Sequence, residues 1–153
     1  MNDAEMKLYL IGVFDGEGCI CPSLRRDGYI GLFVSVKMAS EEVIDLFIAT
    51  WGGSKSKRIG AKSGYQDLYG WTLTGTTTGT FLEYAAEHSI VKKAQAQLGL
   101  QLVEFLTHYR AHDPLVNRRL GQRCISEAEA GARRNIAMSI KALNGARSRF
   151  GVS

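Results

Sequence analysis

Hydrophobic positions follow a helical period at the start of the chain and a two-residue period soon after it. Leu8, Ile11 and Phe14 recur at helical spacing, which predicts a helix over residues 5–17 with Gly18 just past its end. The stretch from Cys19 to Lys37 is broken by Asp27 and Gly28, a strong hairpin-turn signal. Beyond that turn Ile30, Leu32, Val34 and Val36 alternate with Tyr29, Gly31, Phe33 and Ser35, the period of a half-buried strand. Pro22 has no N–H for a ladder, so the strand before the turn needs a bulge or a sheet edge.

The helical period returns after Ser40. That residue, followed by Glu41 and Glu42, starts a helix carrying Val43, Ile44, Phe47 and Ile48, which stops at Gly52 and Gly53. A second hairpin follows: a basic strand around residues 55–59, a turn rich in Gly, Lys and Ser, and a strand with Tyr69, Trp71 and Leu73 on one face. Thr76, Thr77 and Thr78 stand at cap positions before a helix with Phe81, Leu82, Ala85 and Ala86. A long helix runs from about Lys92 to Arg110 and ends near Asp113 and Pro114; a basic helical tail covers about 126–144. The order helix–hairpin–helix–hairpin–helix is an α+β pattern with one antiparallel sheet. There is no internal repeat and no low-complexity linker. The 153 residues fit a single domain over 1–153, with a core at about 5–112 and a basic helical extension at about 115–150.

Composition narrows the class. No apolar run approaches the ~20 residues of a membrane span, and the start lacks a basic stretch leading into an apolar core. The expectation is an intracellular protein with no export signal. Three cysteines, an odd number, argue against a disulfide framework; Cys19, Cys21 and Cys124 read as small strand and helix residues, since no four-ligand metal spacing exists. His108 and His112 have zinc-like spacing, but no acid or cysteine completes a set. Gly75 to Gly79 lacks the Gly-Lys-Ser/Thr ending of a phosphate loop and reads as a loop and helix cap. The net charge of +4 is uneven: eight basic residues against two acidic ones give +6 over 115–153, leaving −2 elsewhere. Such asymmetry fits a polyanionic partner, with Arg133, Arg134 and Arg147 as candidates for phosphate contact.

Leu10-Ile11-Gly12-Val13-Phe14-Asp15-Gly16-Glu17-Gly18 is the most informative segment. A glycine inside a helix costs about 1 kcal/mol relative to alanine, yet Gly12 and Gly16 stand four apart on one face. Close approach of a second backbone would offset that cost. Asp15 and Glu17 lie at a helix C-terminus, whose partial negative charge disfavours them. Both should titrate high unless a divalent cation compensates, and oxygen ligands of this kind suit magnesium.

The segment resembles the LAGLIDADG motif of homing endonucleases in its leucine and its Gly-x-x-Asp-Gly-acid-Gly portion, with Glu where Asp is commoner. The resemblance implies an αββαββα core with a four-stranded antiparallel saddle sheet per subunit and added C-terminal helices. It further implies that motif helices from two copies pack at their glycines, and that the last acid of each binds metal near one scissile phosphate. By position that acid is Glu17, with the Gly16 carbonyl as a further ligand, while Asp15 serves helix-end and interface structure. Mg2+ is the implied cofactor, with Mn2+ or Ca2+ able to occupy the site. A lysine beginning the helix after the second hairpin is the second landmark, and Lys92 takes that position. The third is a polar residue ending the second strand. An ungapped match gives Met38 there, so either Lys37 takes over through a local shift or the site departs from the pattern.

One motif per chain implies a homodimer through Leu8, Gly12, Asp15 and Gly16, acting on a nearly palindromic double-stranded DNA site. The outward hairpin faces would then lie in the major groove. Alternation offers Ser23, Arg25, Tyr29, Gly31, Phe33 and Ser35, and the second hairpin offers Lys55, Lys57, Arg58, Lys62 and Gln66. Two rival readings share the scaffold: an intron RNA maturase that binds its RNA through a basic surface, and a DNA-binding regulator without catalysis.

Overall fold

The computed structural model describes residues 1–24, 30–60, 64–112 and 127–148, with backbone alone at 108–112, 127 and 146–148. The element order is α1 (Asp3–Glu17), β1 (Gly18–Leu24), β2 (Ile30–Met38), α2 (Glu41–Trp51), β3 (Ser54–Arg58), β4 (Leu68–Thr74), a 3-10 turn (Gly75–Thr78), α3 (Gly79–His88), α4 (Lys93–His112) and α5 (Glu127–Ser148). All strand pairs are antiparallel, in the order β1-β2-β4-β3. The fold is therefore α+β, as the periodicity predicts. The signals at Asp27-Gly28, Asp113-Pro114 and Cys124, with Arg25, Tyr29 and Lys62, lie outside the described residues, as do the side chains of His108, His112 and Arg147.

α1 begins two residues earlier than its apolar spacing predicts, because Asn2 forms a capping box with Glu5: each side chain accepts from the other's backbone N–H at 2.9 Å. Its inner side buries Leu10, Ile11 and Phe14. β2 buries Ile30, Leu32, Val34 and Val36, the alternation expected. Trp71 and Leu73 of β4 complete the sheet's inner face beneath Ile44 and Phe47 of α2 and Phe81, Leu82 and Ala85 of α3. Trp71 is the hub, stacked on Phe47 with ring centroids 4.7 Å apart and edge-on to Phe81 at 5.1 Å. Each such buried side chain stabilises the fold by roughly 1.5–3 kcal/mol.

Pro22 pairs opposite Leu32 on β1, which has a strand neighbour on one side alone among the described residues and so is an edge. α5 packs on α4 and across β1, where the Asn144 amide donates to the Ile20 carbonyl at 2.8 Å. An edge carbonyl is thereby satisfied without a further strand. Thr78, the residue before α3, does not cap it through its side chain. Instead Thr77 and Thr78 donate their hydroxyls back to the carbonyls of Thr74 and Gly75, closing the 3-10 turn.

Candidate active site

α1 passes directly into β1. Gly18 takes an extended conformation (φ −83°), and a Cβ there would lie 2.1 Å from the Phe14 ring and 2.6 Å from the Phe14 carbonyl oxygen. Close approach therefore demands glycine at this position. The junction puts the last carboxylates of the helix next in sequence to β1, whose Cys19 and Cys21 stand on the sheet's outer face opposite Ser35 and Phe33.

The two carboxylates differ sharply. Asp15 accepts hydrogen bonds from the Ser89 hydroxyl and from the backbone N–H groups of Ile90 (2.9 Å), Val91 (3.2 Å) and Lys92 (3.3 Å). Burial alone would raise its pKa, but these donors together outweigh burial and hold it below the ordinary carboxylate value. The expectation that Asp15 titrates high is thus corrected: the hydroxyl of Ser89 and the backbone N–H groups of residues 90–92, just before α4, compensate it. Ser89 also accepts from Lys92 N–H at 2.9 Å, as a helix N-cap does. Ser89 went unnoticed in the sequence because it lies 74 positions from Asp15. Glu17, by contrast, is exposed and has no hydrogen-bond or ion-pair partner among the described residues.

Lys92 sits immediately before α4 and is 6% exposed, with Nζ donating to the Asp15 carbonyl at 2.6 Å and lying 5.7 Å from the centre of the Phe14 ring. An ammonium at the C-terminal end of α1 offsets the helix dipole that Asp15 and Glu17 oppose. Lys37 is exposed on the outer face opposite Gly70, whereas Met38 turns inward and packs half-buried against the core. Of the two alternatives, Lys37 is the one on the same face as Cys19. Cys19 is where these groups meet: its thiol is drawn down to about 7 by the hydrogen bond from Cys21, against burial, with the Lys92 and Lys37 charges assisting. The same hydrogen bond, with burial, pushes Cys21 up.

Among the described residues no group of three or more His, Cys, Asp or Glu could hold a metal. One exposed carboxylate with the adjacent Gly16 carbonyl fits a hard divalent cation as a partial donor set, completed by oxygens from outside this chain.

The rest of α1's outer stripe is open. Leu8 is 52% exposed, and among the described residues a Cβ on Gly12 or Gly16 would meet no atom within 4 Å. No packing by the described residues accounts for these two glycines.

On the outer sheet face, pairing aligns Ser23 with Gly31; Cys21, Phe33 and Thr74; Cys19, Ser35, Thr72 and Ser54; and Lys37, Gly70 and Ser56. Ser35 is 8% exposed at the centre of its row, so it is not open as alternation implies, and Phe33 is half-buried. Lys55 and Lys57 require a larger correction. They pair with Trp71 and Tyr69 and so belong to the opposite, helix-side face. Lys55 forms ion pairs there with Glu41 (2.6 Å) and Asp45 (2.7 Å) of α2, and Lys57 lies 3.6 Å from Asp67. Arg58 shares the outer face with Ser54 and Ser56, and Gln66 is exposed in the turn. Arg133, a phosphate candidate by charge, is 1% exposed and bonds the Phe105 carbonyl (3.1 Å) and Glu129 (2.8 Å), a structural role; Arg134 is exposed.

No protein-family model and no curated protein matches this sequence. Solved structures do. An archaeal intron-encoded homing endonuclease, I-Vdi141I, complexed with DNA, is 18% identical, with a TM-score of 0.66 over 93% of this chain and 86% of that one. The homing endonuclease I-TnaI is 13% identical, with a TM-score of 0.64 over 96% of this chain and 97% of that one. The LAGLIDADG meganuclease I-AabMI, bound to uncleaved DNA, is 18% identical with a TM-score of 0.54; the match covers 84% of this chain and 49% of that one. The fold of this chain is that of the LAGLIDADG homing endonucleases.

Proposed function

We propose that this chain, built on the LAGLIDADG homing-endonuclease fold, is itself such an enzyme: a homodimer that cuts both strands of a long, nearly palindromic duplex DNA site. The observation that carries the reading is Glu17, an exposed carboxylate without a partner among the described residues, at the end of a helix whose Leu8–Gly12–Gly16 stripe those residues leave uncovered. Two such helices crossing at their glycines bring two Glu17 carboxylates together, one for each strand.

Glu17 and the Gly16 carbonyl hold the divalent cation, Mg2+ by the chemistry of the donors. When bound, such an ion supplies Lewis acidity toward a phosphoryl oxygen and a nucleophilic water at neutral pH. Asp15 holds the start of α4 against the end of α1 and so fixes the Lys92 backbone and ammonium beside the acid. Lys37 and Lys92 give the outer face the positive charge that draws a phosphodiester and stabilises charge growing on it. Ser23, Phe33, Ser56, Arg58 and Gln66 face the major groove, where Arg and Gln can read guanine and adenine edges. Exposed Arg134 contacts flanking phosphates.

The test is incubation of the protein with a randomised palindromic duplex library and Mg2+. Defined double-strand products are expected from the native chain and none from Glu17→Gln, which should still bind the selected site. Absence of products in every condition, with both proteins behaving alike, would reject the proposal.

A further inference from the structure

Two thiols stand beside the proposed metal-binding acid, and nothing in the cleavage reading uses them. Cys19 and Cys21 lie on the same outer side of β1, with their sulfurs 2.6 Å apart and no bond between them. Same-face neighbours on a strand have Cα atoms about 6.7 Å apart, at the upper limit of about 6.8 Å that a disulfide spans. Such an approach therefore needs both side chains turned toward each other. Nonbonded heavy atoms settle at about 3.5–4.0 Å, and a disulfide at about 2.05 Å, so this pair already lies well inside ordinary contact. Both thiols are half-buried, and each remains reachable from the outer face.

We propose that Cys19 and Cys21 form a thiol–disulfide exchange site whose oxidant is a low-molecular-weight disulfide such as oxidised glutathione. One protein thiolate attacks the small disulfide, forming a mixed disulfide and expelling one small thiolate. The second protein thiol, giving up its proton, attacks the protein-side sulfur of the mixed disulfide and expels the second small thiolate. Two protein thiols are oxidised, and one small disulfide is reduced to two thiols. The product is a ring within one strand. It draws together the side chains that follow Glu17 by two and four positions, opposite Ser35 and Phe33 of β2. Closure alters the outer face where the acid meets it. The functional consequence, loss of cleavage in the oxidised form, rests on the endonuclease reading; bond formation does not.

The experiment titrates the full chain in glutathione redox buffers, alkylates free thiols, and digests with trypsin. Residues 8–25 are released as one peptide carrying both cysteines, while Cys124 falls in a separate peptide. The expected result is a graded loss of both alkylations from the 8–25 peptide, its mass lower by two hydrogens than the reduced form, and reversal by dithiothreitol. Cys19→Ser and Cys21→Ser should each stop at the mixed disulfide. Persistence of two alkylated thiols in 8–25 at potentials where Cys124 is already glutathionylated would overturn the proposal, as would a Cys19 or Cys21 bond to Cys124 or to a second chain. Cleavage by the oxidised native chain should fall about a hundred-fold, the order of loss caused by an ångström of misplacement at a reacting centre, and the double variant Cys19→Ser/Cys21→Ser should show no such loss. Unchanged cleavage by the fully bridged protein would overturn the functional limb. A protein that never cuts DNA, yet forms the bridge, would reject the endonuclease reading and leave the exchange site standing.

Discussion

The two sides of α1 obey different rules. Its inner side, Leu10, Ile11 and Phe14, is closed off completely by the sheet and the other helices. Its outer side, Leu8, Gly12 and Gly16, is met at neither glycine by any atom of the described residues. The same contrast recurs two residues apart at the helix end, where Asp15 is saturated with donors and Glu17 has none among the described residues. One side of the helix is packed into the fold; the other is left open by the described residues. Substitutions on the two sides should therefore change different measurable quantities.

The largest separation is expected between Phe14→Ala and Glu17→Gln. Removing the Phe14 ring, which meets Phe81 edge-on at 4.8 Å, should cost about 3–5 kcal/mol in urea unfolding. Glu17→Gln should leave that midpoint within about 0.5 kcal/mol while lowering cleavage about a thousand-fold. A marked loss of stability in Glu17→Gln would erase the contrast. Next in size is Gly12→Ala, where the signs should oppose. The added methyl is free of contacts inside the chain, so at low concentration the melting temperature should rise with a helix gain of about 1 kcal/mol. Dimer dissociation, followed by sedimentation, should weaken about ten-fold or more because the methyl stands between two backbones. A tighter dimer would disprove the crossing at these glycines.

Smaller still is Asp15→Asn, which keeps the shape but loses charge-assisted acceptance. A stability loss of about 1 kcal/mol is expected, held down because the carboxylate remains partly in water. The pH dependence sharpens the same point. Asp15 is held below its ordinary value of 3.8, so the unfolded chain binds its proton more readily and stability rises with pH in that region. Its contribution is present above about pH 4 and is lost as pH falls through the folded value. Asp15→Asn should flatten the acid limb of the native stability curve by that contribution, read as the difference between the two urea titrations at pH 3 and pH 6.

Most of the architecture was legible because it follows from burial. The alternation of Ile30, Leu32, Val34 and Val36 can satisfy one sheet face alone, and Pro22 restricts β1 to an edge. Where burial gives no pattern, the reading went astray. Every residue of the Ser54–Arg58 strand is exposed, so nothing in its sequence states which lysines face α2; the ion pairs of Lys55 decide that. Arg133 looked like a surface charge because side-chain type does not reveal a carbonyl waiting 28 positions away on α4. In the site, the glycine spacing around Glu17 marks the end of α1, and the exposed carboxylate stands there. The contacts of Asp15 were not legible, since Ser89 to Lys92 arrive from the far end of the second hairpin and α3. The spacing of the cysteines fits no metal site, and the mutual approach of Cys19 and Cys21 depends on side-chain rotation that no spacing encodes.

The passage from helix to strand at Gly18 leaves no slack. With the Phe14 ring and carbonyl packed against that residue, α1 and β1 form a single lever, and the ladder carries its motion from β1 to β2, β4 and β3. A change in the orientation of α1 would therefore be passed to the sheet through β1 and its ladder. In a pair of such chains, one crossing angle between the helices would set the span between the two sheets. The distance separating the two half-sites on a duplex would then be a property of helix packing, inherited by the sheets, and would not depend on which bases they touch.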